Sequence, residues 1–129
     1  MENKINKYIY WIPRIFGIIF VLFLALFSLD IFDSATGFKE IAIGLFMHNI
    51  PALILSAVVI ISWKHELVGA ISFAVAGLLY CGLIIYNILF SGDPTGWYML
   101  AWIVQIAGPA FIVAWLFYKN WKFKQIIKK

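Results

Sequence analysis

The chain has 129 residues, of which 64% are hydrophobic, 12% charged and 19% aromatic, with a formal net charge of +4 and a mean hydropathy of +0.96. A soluble domain is usually about 45–50% apolar and about 25% charged. This composition therefore excludes a soluble enzyme, a disordered tail and a nucleic-acid-binding module, and marks an integral membrane protein whose main partner is the lipid bilayer. The length suits one domain, 1–129. A spanning helix needs about 20 mostly apolar residues, so four of them with short connections use up the chain.

The first uncharged stretch, residues 15–29 between Arg14 and Asp30, is short for a span. It reaches spanning length if Tyr8 to Pro13 join the helix and Arg14 snorkels to the interface. A retained anchor is favoured over a cleaved signal peptide, because no clean small-x-small site follows and Ser34-Ala35 is only a weak candidate. Residues 41–63, 67–92 and 94–118 carry no charge, and each is long enough to cross a bilayer. The expected spans are about 8–31, 39–63, 66–90 and 97–119, followed by a short basic C-terminal tail.

The connections are brief. Asp33, Thr36 and Gly37 form one turn, Lys64-His65 another, and Ser91-Gly92-Asp93-Pro94-Thr95-Gly96 is a strong turn signal. Short connections make successive helices antiparallel. The expected fold is an all-α integral membrane bundle of four helices running up, down, up, down.

Charge sets the expected orientation. With both termini cytoplasmic, that side holds nine of the ten basic residues: Lys4, Lys7, Arg14, Lys64 and the cluster Lys119, Lys122, Lys124, Lys128 and Lys129. Lys39 is left on the other side with Asp30, Asp33, Glu40 and Asp93. This is the positive-inside pattern of a multi-pass protein of the cell (plasma) membrane. The C-terminal lysines also read as a contact for anionic lipid headgroups. Tyr8, Tyr10, Trp11, Trp63, Trp97, Tyr98, Tyr118 and Trp121 fall at the expected helix ends, where aromatic belts belong.

Polar groups inside a membrane are costly, so each is a candidate for function. His48 lies near the expected midplane of the second helix. Gly44, His48, Ala52 and Ser56 recur at spacing four, which suggests a close-packed face with His48 turned inward. Asn49 and Pro51 adjoin it, and Pro51 is expected to kink the helix by freeing the carbonyl of Met47. Gln105 in the fourth helix is flanked by Ala101 and Gly108 and followed by a second expected kink at Pro109. His48, Asn49 and Gln105 thus form a candidate polar site. A neutral His48 hydrogen-bonded to a neighbouring helix is the favoured reading, with Gln105 a candidate partner, and such a bond needs no function. Arg14 and Glu66 both fall near the cytoplasmic boundary and suggest an interfacial, partly solvated ion pair. Asp30 is expected to cap the second helix.

His65 and His48 are about 25 Å apart along a helix and cannot share one metal. One cysteine, Cys81, makes no internal disulfide and no metal-ligand pair. No phosphate loop, HExxH or GxSxG is present. The chain is expected to have no catalytic residues, no metal site and no cofactor.

Tyr10-Trp11-Ile12-Pro13-Arg14, Leu29-Asp30-Ile31-Phe32, His48-Asn49-Ile50-Pro51 and the run from Trp63 through Lys64-His65-Glu66 to Gly69 form a combination over roughly the first three helices. It resembles an uncharacterised family of small prokaryotic membrane proteins, a domain of unknown function. The resemblance implies a four-helix membrane bundle and supplies no catalytic residues.

Three readings of function follow. The first is a non-enzymatic structural, interaction or accessory protein, packed as a homo-oligomer or against a membrane-protein partner, with no nucleic acid involved. The second is an oligomeric transporter or channel using His48, Asn49 and Gln105. The third is a haem- or quinone-binding membrane subunit, whose haem version a colourless purified protein removes.

Overall fold

The computed structural model describes residues 6–92 and 96–129. Lys4 and the turn residues Asp93, Pro94 and Thr95 lie outside the described residues. Four helices make up the fold: α1 (Lys7–Ser34), α2 (Phe38–Ser62), α3 (Glu66–Phe90) and α4 (Gly96–Ile127). All four are long and apolar enough to cross a membrane. The described residues contain no sheet.

The helix boundaries have local causes. Asn6 caps α1, its Oδ1 accepting the Tyr8 N–H at 3.1 Å. Near its far end α1 tightens into a 3₁₀ turn over Phe27–Asp30 and then resumes for one α turn, Ile31–Ser34. Asp30 is therefore part of α1 and does not cap α2. That end of α2 is closed differently: Glu40 reaches back so that its Oε2 accepts the Thr36 N–H at 3.2 Å and the Thr36 hydroxyl at 3.1 Å. Helix α3 ends at Phe90 with Ser91 as its C-cap, and Gly92 follows with a φ of 67°, the left-handed conformation that only glycine adopts without penalty.

Each helix packs on its neighbour in sequence, and α4 also packs on α1, closing a ring with its most extensive seam between α3 and α4. The core on the ring axis contains Phe20, Leu55, Val59, Phe73, Val113 and Phe117. Phe73 sits between two rings, 6.1 Å from the Phe20 centroid and 6.1 Å from that of Phe117. Both separations lie within the range in which aromatic pairs attract beyond simple burial. Small residues let the helices approach closely. A Cβ on Gly69 would lie 2.6 Å from Ser62 Oγ and 2.9 Å from Phe117 Cγ, and one on Gly77 would lie 2.9 Å from the Phe111 ring. Side-chain packing of this kind is what holds helices together where the surroundings are as apolar as the core.

The inward face of α2 is not the expected one. Ala52, Leu55, Val59 and Ser62 are buried, whereas His48 is exposed. A row at strict spacing four drifts about 40° per step on a helix of 3.6 residues per turn. Alternating steps of three and four keep one face inward, and only Ala52 belongs to both rows.

Helix α4 also differs from expectation. It does not stop near 119 but runs on to Ile127, so the expected basic tail is helical. Over Ile103–Ala107 it widens into a π turn in which the Gly108 N–H bonds the Ile103 carbonyl, five residues back. Pro109 supplies the reason. It has no N–H for the Gln105 carbonyl, and its ring crowds that carbonyl, so the turn opens by one residue. The extra residue rotates the preceding turn, which leaves both Ala101 and Gln105 exposed.

Candidate functional site

The densest polar chemistry lies at one end of the bundle, where the beginnings of α1 and α3 meet the ends of α2 and α4. Arg14 is wholly buried there, at 0% exposure, although it carries a permanent charge. Both terminal nitrogens of its fork are engaged, while Nε is buried without a hydrogen-bond partner among the described residues. Nη1 donates to the Tyr10 carbonyl, while Nη2 donates to the Trp63 carbonyl at 2.8 Å and to Glu66 Oε1 at 2.9 Å. The guanidinium also lies 3.6 Å over the Tyr10 ring, a cation–π contact. One residue thus ties α1 to the end of α2 and the start of α3.

Glu66 is 3% exposed and is held by two cations, because Lys124 of α4 donates to the same Oε1 that Arg14 contacts. Both charged ends sit well with the backbone. Glu66 occupies the first turn of α3, where the helix dipole favours an anion, and Lys124 occupies the last turns of α4, where it favours a cation. The ion pair is therefore a buried three-membered cluster rather than a partly solvated interfacial pair. The difference comes from α4: its helical extension carries Lys124 back over Glu66 and shuts out solvent.

Two neighbours complete this end. Ser62 is buried and donates to the Val58 carbonyl of its own helix at 2.5 Å. Asn120, one turn before Lys124, is buried at 0% exposure with neither amide atom hydrogen-bonded among the described residues. Neither Asn120 nor the reach of Lys124 is evident from residue type alone. Phe117, Asn120 and Lys124 recur at steps of three and four, the signal that could have identified them as one inward face.

The other candidates do not pool into one site. His48 Nδ1 pairs with the Gly44 carbonyl at 3.0 Å on its own helix. Asn49 likewise donates to the Leu45 carbonyl at 2.9 Å, and Asn87 to the Leu83 carbonyl at 2.9 Å. Gln105 lies in a crevice between α1 and α4 beside Phe16, Phe23 and Pro109. His48 lines a different cavity of about 220 Å³, walled by Phe20, Pro51, Gly77, Tyr80 and Ala107 from all four helices. Cys81 is half-buried. Among the described residues no group of three or more His, Cys, Asp or Glu side chains is placed to hold a metal ion.

The chemistry of the buried cluster is that of a strut: one carboxylate joins three helices through two cations. A family model described as a domain of unknown function (DUF7670) matches residues 1–129, the whole chain and thus α4 as well. The chain belongs to this family. No curated protein and no solved structure matches the chain.

Proposed function

We propose that the chain is a multi-pass membrane protein of the cell membrane, non-enzymatic, serving as a structural, interaction or accessory subunit. Its helices run up, down, up, down, with both termini and the Arg14–Glu66–Lys124 cluster on the cytoplasmic side. The observation that carries the reading is how the polar groups are used. Asn49, Ser56, Ser62, Asn87 and His48 bond carbonyls of their own helices, and Arg14, Glu66 and Lys124 bind the helices to one another. Most of the intramembrane polar groups are thus engaged in the fold, Asn120 being the buried exception. The exterior supports the membrane reading, since large apolar side chains such as Leu22, Phe46, Ile60, Leu78 and Val104 are all at least 60% exposed. A helix apolar all round belongs in a bilayer or in a large core.

Native mass spectrometry of gently extracted protein tests the subunit role. The expected species is a defined assembly of this chain with itself or with a second membrane protein. A monomer carrying one small organic molecule at full stoichiometry would overturn it.

One observation favours a second reading, an oligomeric transporter: the cavity of about 220 Å³ that brings His48 and Tyr80 beside Pro51 and the π turn. Single π turns are frequent at functional sites. Under this reading His48→Leu abolishes transport in reconstituted vesicles while the protein stays folded. Transport at the wild-type rate removes His48 from any such path.

A further inference from the structure

We infer that the cavity between the α2–α3 turn and the last turns of α4 binds the phosphate of an anionic phospholipid. This rests on the reading that the lysine-rich end of the bundle lies at a membrane face. The cavity measures about 570 Å³ and is lined by Lys64, Lys124 and Lys128 together with Leu67, Val68 and Trp121.

Charge carries the argument first. The one carboxylate in the cavity wall, Glu66, is already shared by Arg14 and Lys124. Two cations on one carboxylate leave a positive excess at the cavity wall. Lys64 and Lys128 add to that excess and are both exposed. An anion entering here meets a cavity lined by three lysines and one carboxylate that is already shared. The start of α3 adds a weaker attraction of the same sign. Its N-cap residue, His65, makes no side-chain cap, although the Val68 N–H already bonds the His65 carbonyl at 3.0 Å, so the attraction is that of the helix dipole alone.

The apolar wall decides between sources of phosphate. Leu67 and Val68 are each more than a third exposed, at 36% and 39%, and Trp121 is half-buried beside them. Inorganic phosphate gains nothing from such a wall. A phospholipid places its glycerol and the first methylenes of its chains there, with the phosphate among the lysines. The choline of a zwitterionic lipid would be repelled by the same lysines, so the site selects an anionic headgroup such as phosphatidylglycerol.

The test uses the full chain in detergent, with phosphatidylglycerol retention read by native mass spectrometry. Lys64→Gln with Lys128→Gln is expected to weaken retention about tenfold, since each lysine near an anionic lipid contributes a severalfold factor. Lys119→Gln with Lys122→Gln removes equal charge from exposed positions of α4 that do not line the cavity. That control is expected to change retention less than about twofold. Phosphatidylcholine is expected not to be retained, and millimolar inorganic phosphate not to displace the lipid. Equal losses in the two double variants would overturn the site in favour of diffuse surface charge. Displacement by inorganic phosphate would overturn the lipid as its occupant. Neither result bears on which side of the membrane this end occupies, which accessibility labelling decides separately.

Discussion

Glu66→Leu is expected to destabilise the bundle by about 3–5 kcal/mol, the range for removing one partner from a buried ion pair. The loss of attraction is the smaller part of the effect. Arg14, at 0% exposure, cannot be rehydrated without opening the bundle, and its charge is left with only carbonyls and the Tyr10 ring as partners. Lys124, 26% exposed at its side chain, can turn toward water, so it softens the penalty without removing it. The measurement is equilibrium unfolding in mixed micelles. A companion variant sharpens it: Arg14→Leu, Glu66→Leu and Lys124→Leu together remove the whole cluster, and apolar replacement of an entire buried cluster is often neutral or stabilising. The triple variant is therefore expected to be more stable than Glu66→Leu alone. A single variant within about 1 kcal/mol of wild type would show that Glu66 does not hold the helices together.

Gly69→Ala is expected to cost about 1–3 kcal/mol, the usual penalty for overpacking. The added Cβ would meet Ser62 Oγ at 2.6 Å on α2 and Phe117 Cγ at 2.9 Å on α4. Neither neighbour yields easily. Ser62 is buried and bonded to the Val58 carbonyl, and the Phe117 ring is wedged against Phe73. The cost arises within the folded state and does not depend on what solvates the unfolded one, so it applies in lipid as in water. Gly82→Ala is the matched control. It lies on the same helix with nothing within 4 Å of its added Cβ, and gains up to about 1 kcal/mol of helix propensity. Both variants are compared by thermal unfolding in one detergent. Equal midpoints would mean that α3 does not approach α2 and α4 as closely as Gly69 indicates.

The four helices are readable in the sequence because charge-free runs of spanning length leave few alternatives. Helix faces are much less readable. Gly44, His48, Ala52 and Ser56 form a tidy row of small and polar residues, yet drift leaves His48 exposed, lining the cavity among the helices, while the 52, 55, 59, 62 pattern is the buried face. In a chain this apolar the outer face is as hydrophobic as the inner one, so the usual contrast that marks a buried stripe is missing. Gln105 is exposed for a different reason: the π turn over Ile103–Ala107 shifts the register by one residue, so helical spacing counted from Ala101 to Gly108 fails. At the basic end, charge drew attention to Arg14 and Glu66, but the lysines of 119–129 read as a tail. Only the continued helix brings Lys124 onto Glu66 and seals Arg14 from solvent. Asn120 carries little signal, because a lone asparagine among lysines has the composition of a surface.

Site-directed labelling tests the membrane arrangement most directly. In a Cys81→Ser background, single cysteines are placed at Thr36, exposed in the α1–α2 turn, and at Lys129, exposed beyond the end of α4. Whole cells are then treated with a membrane-impermeant maleimide before and after permeabilisation. The expected result is labelling of Thr36→Cys in intact cells and of Lys129→Cys only after permeabilisation. Labelling of Lys129→Cys in intact cells, with Thr36→Cys protected, would contradict a bundle whose lysine-rich, charge-clustered end faces the cytoplasm.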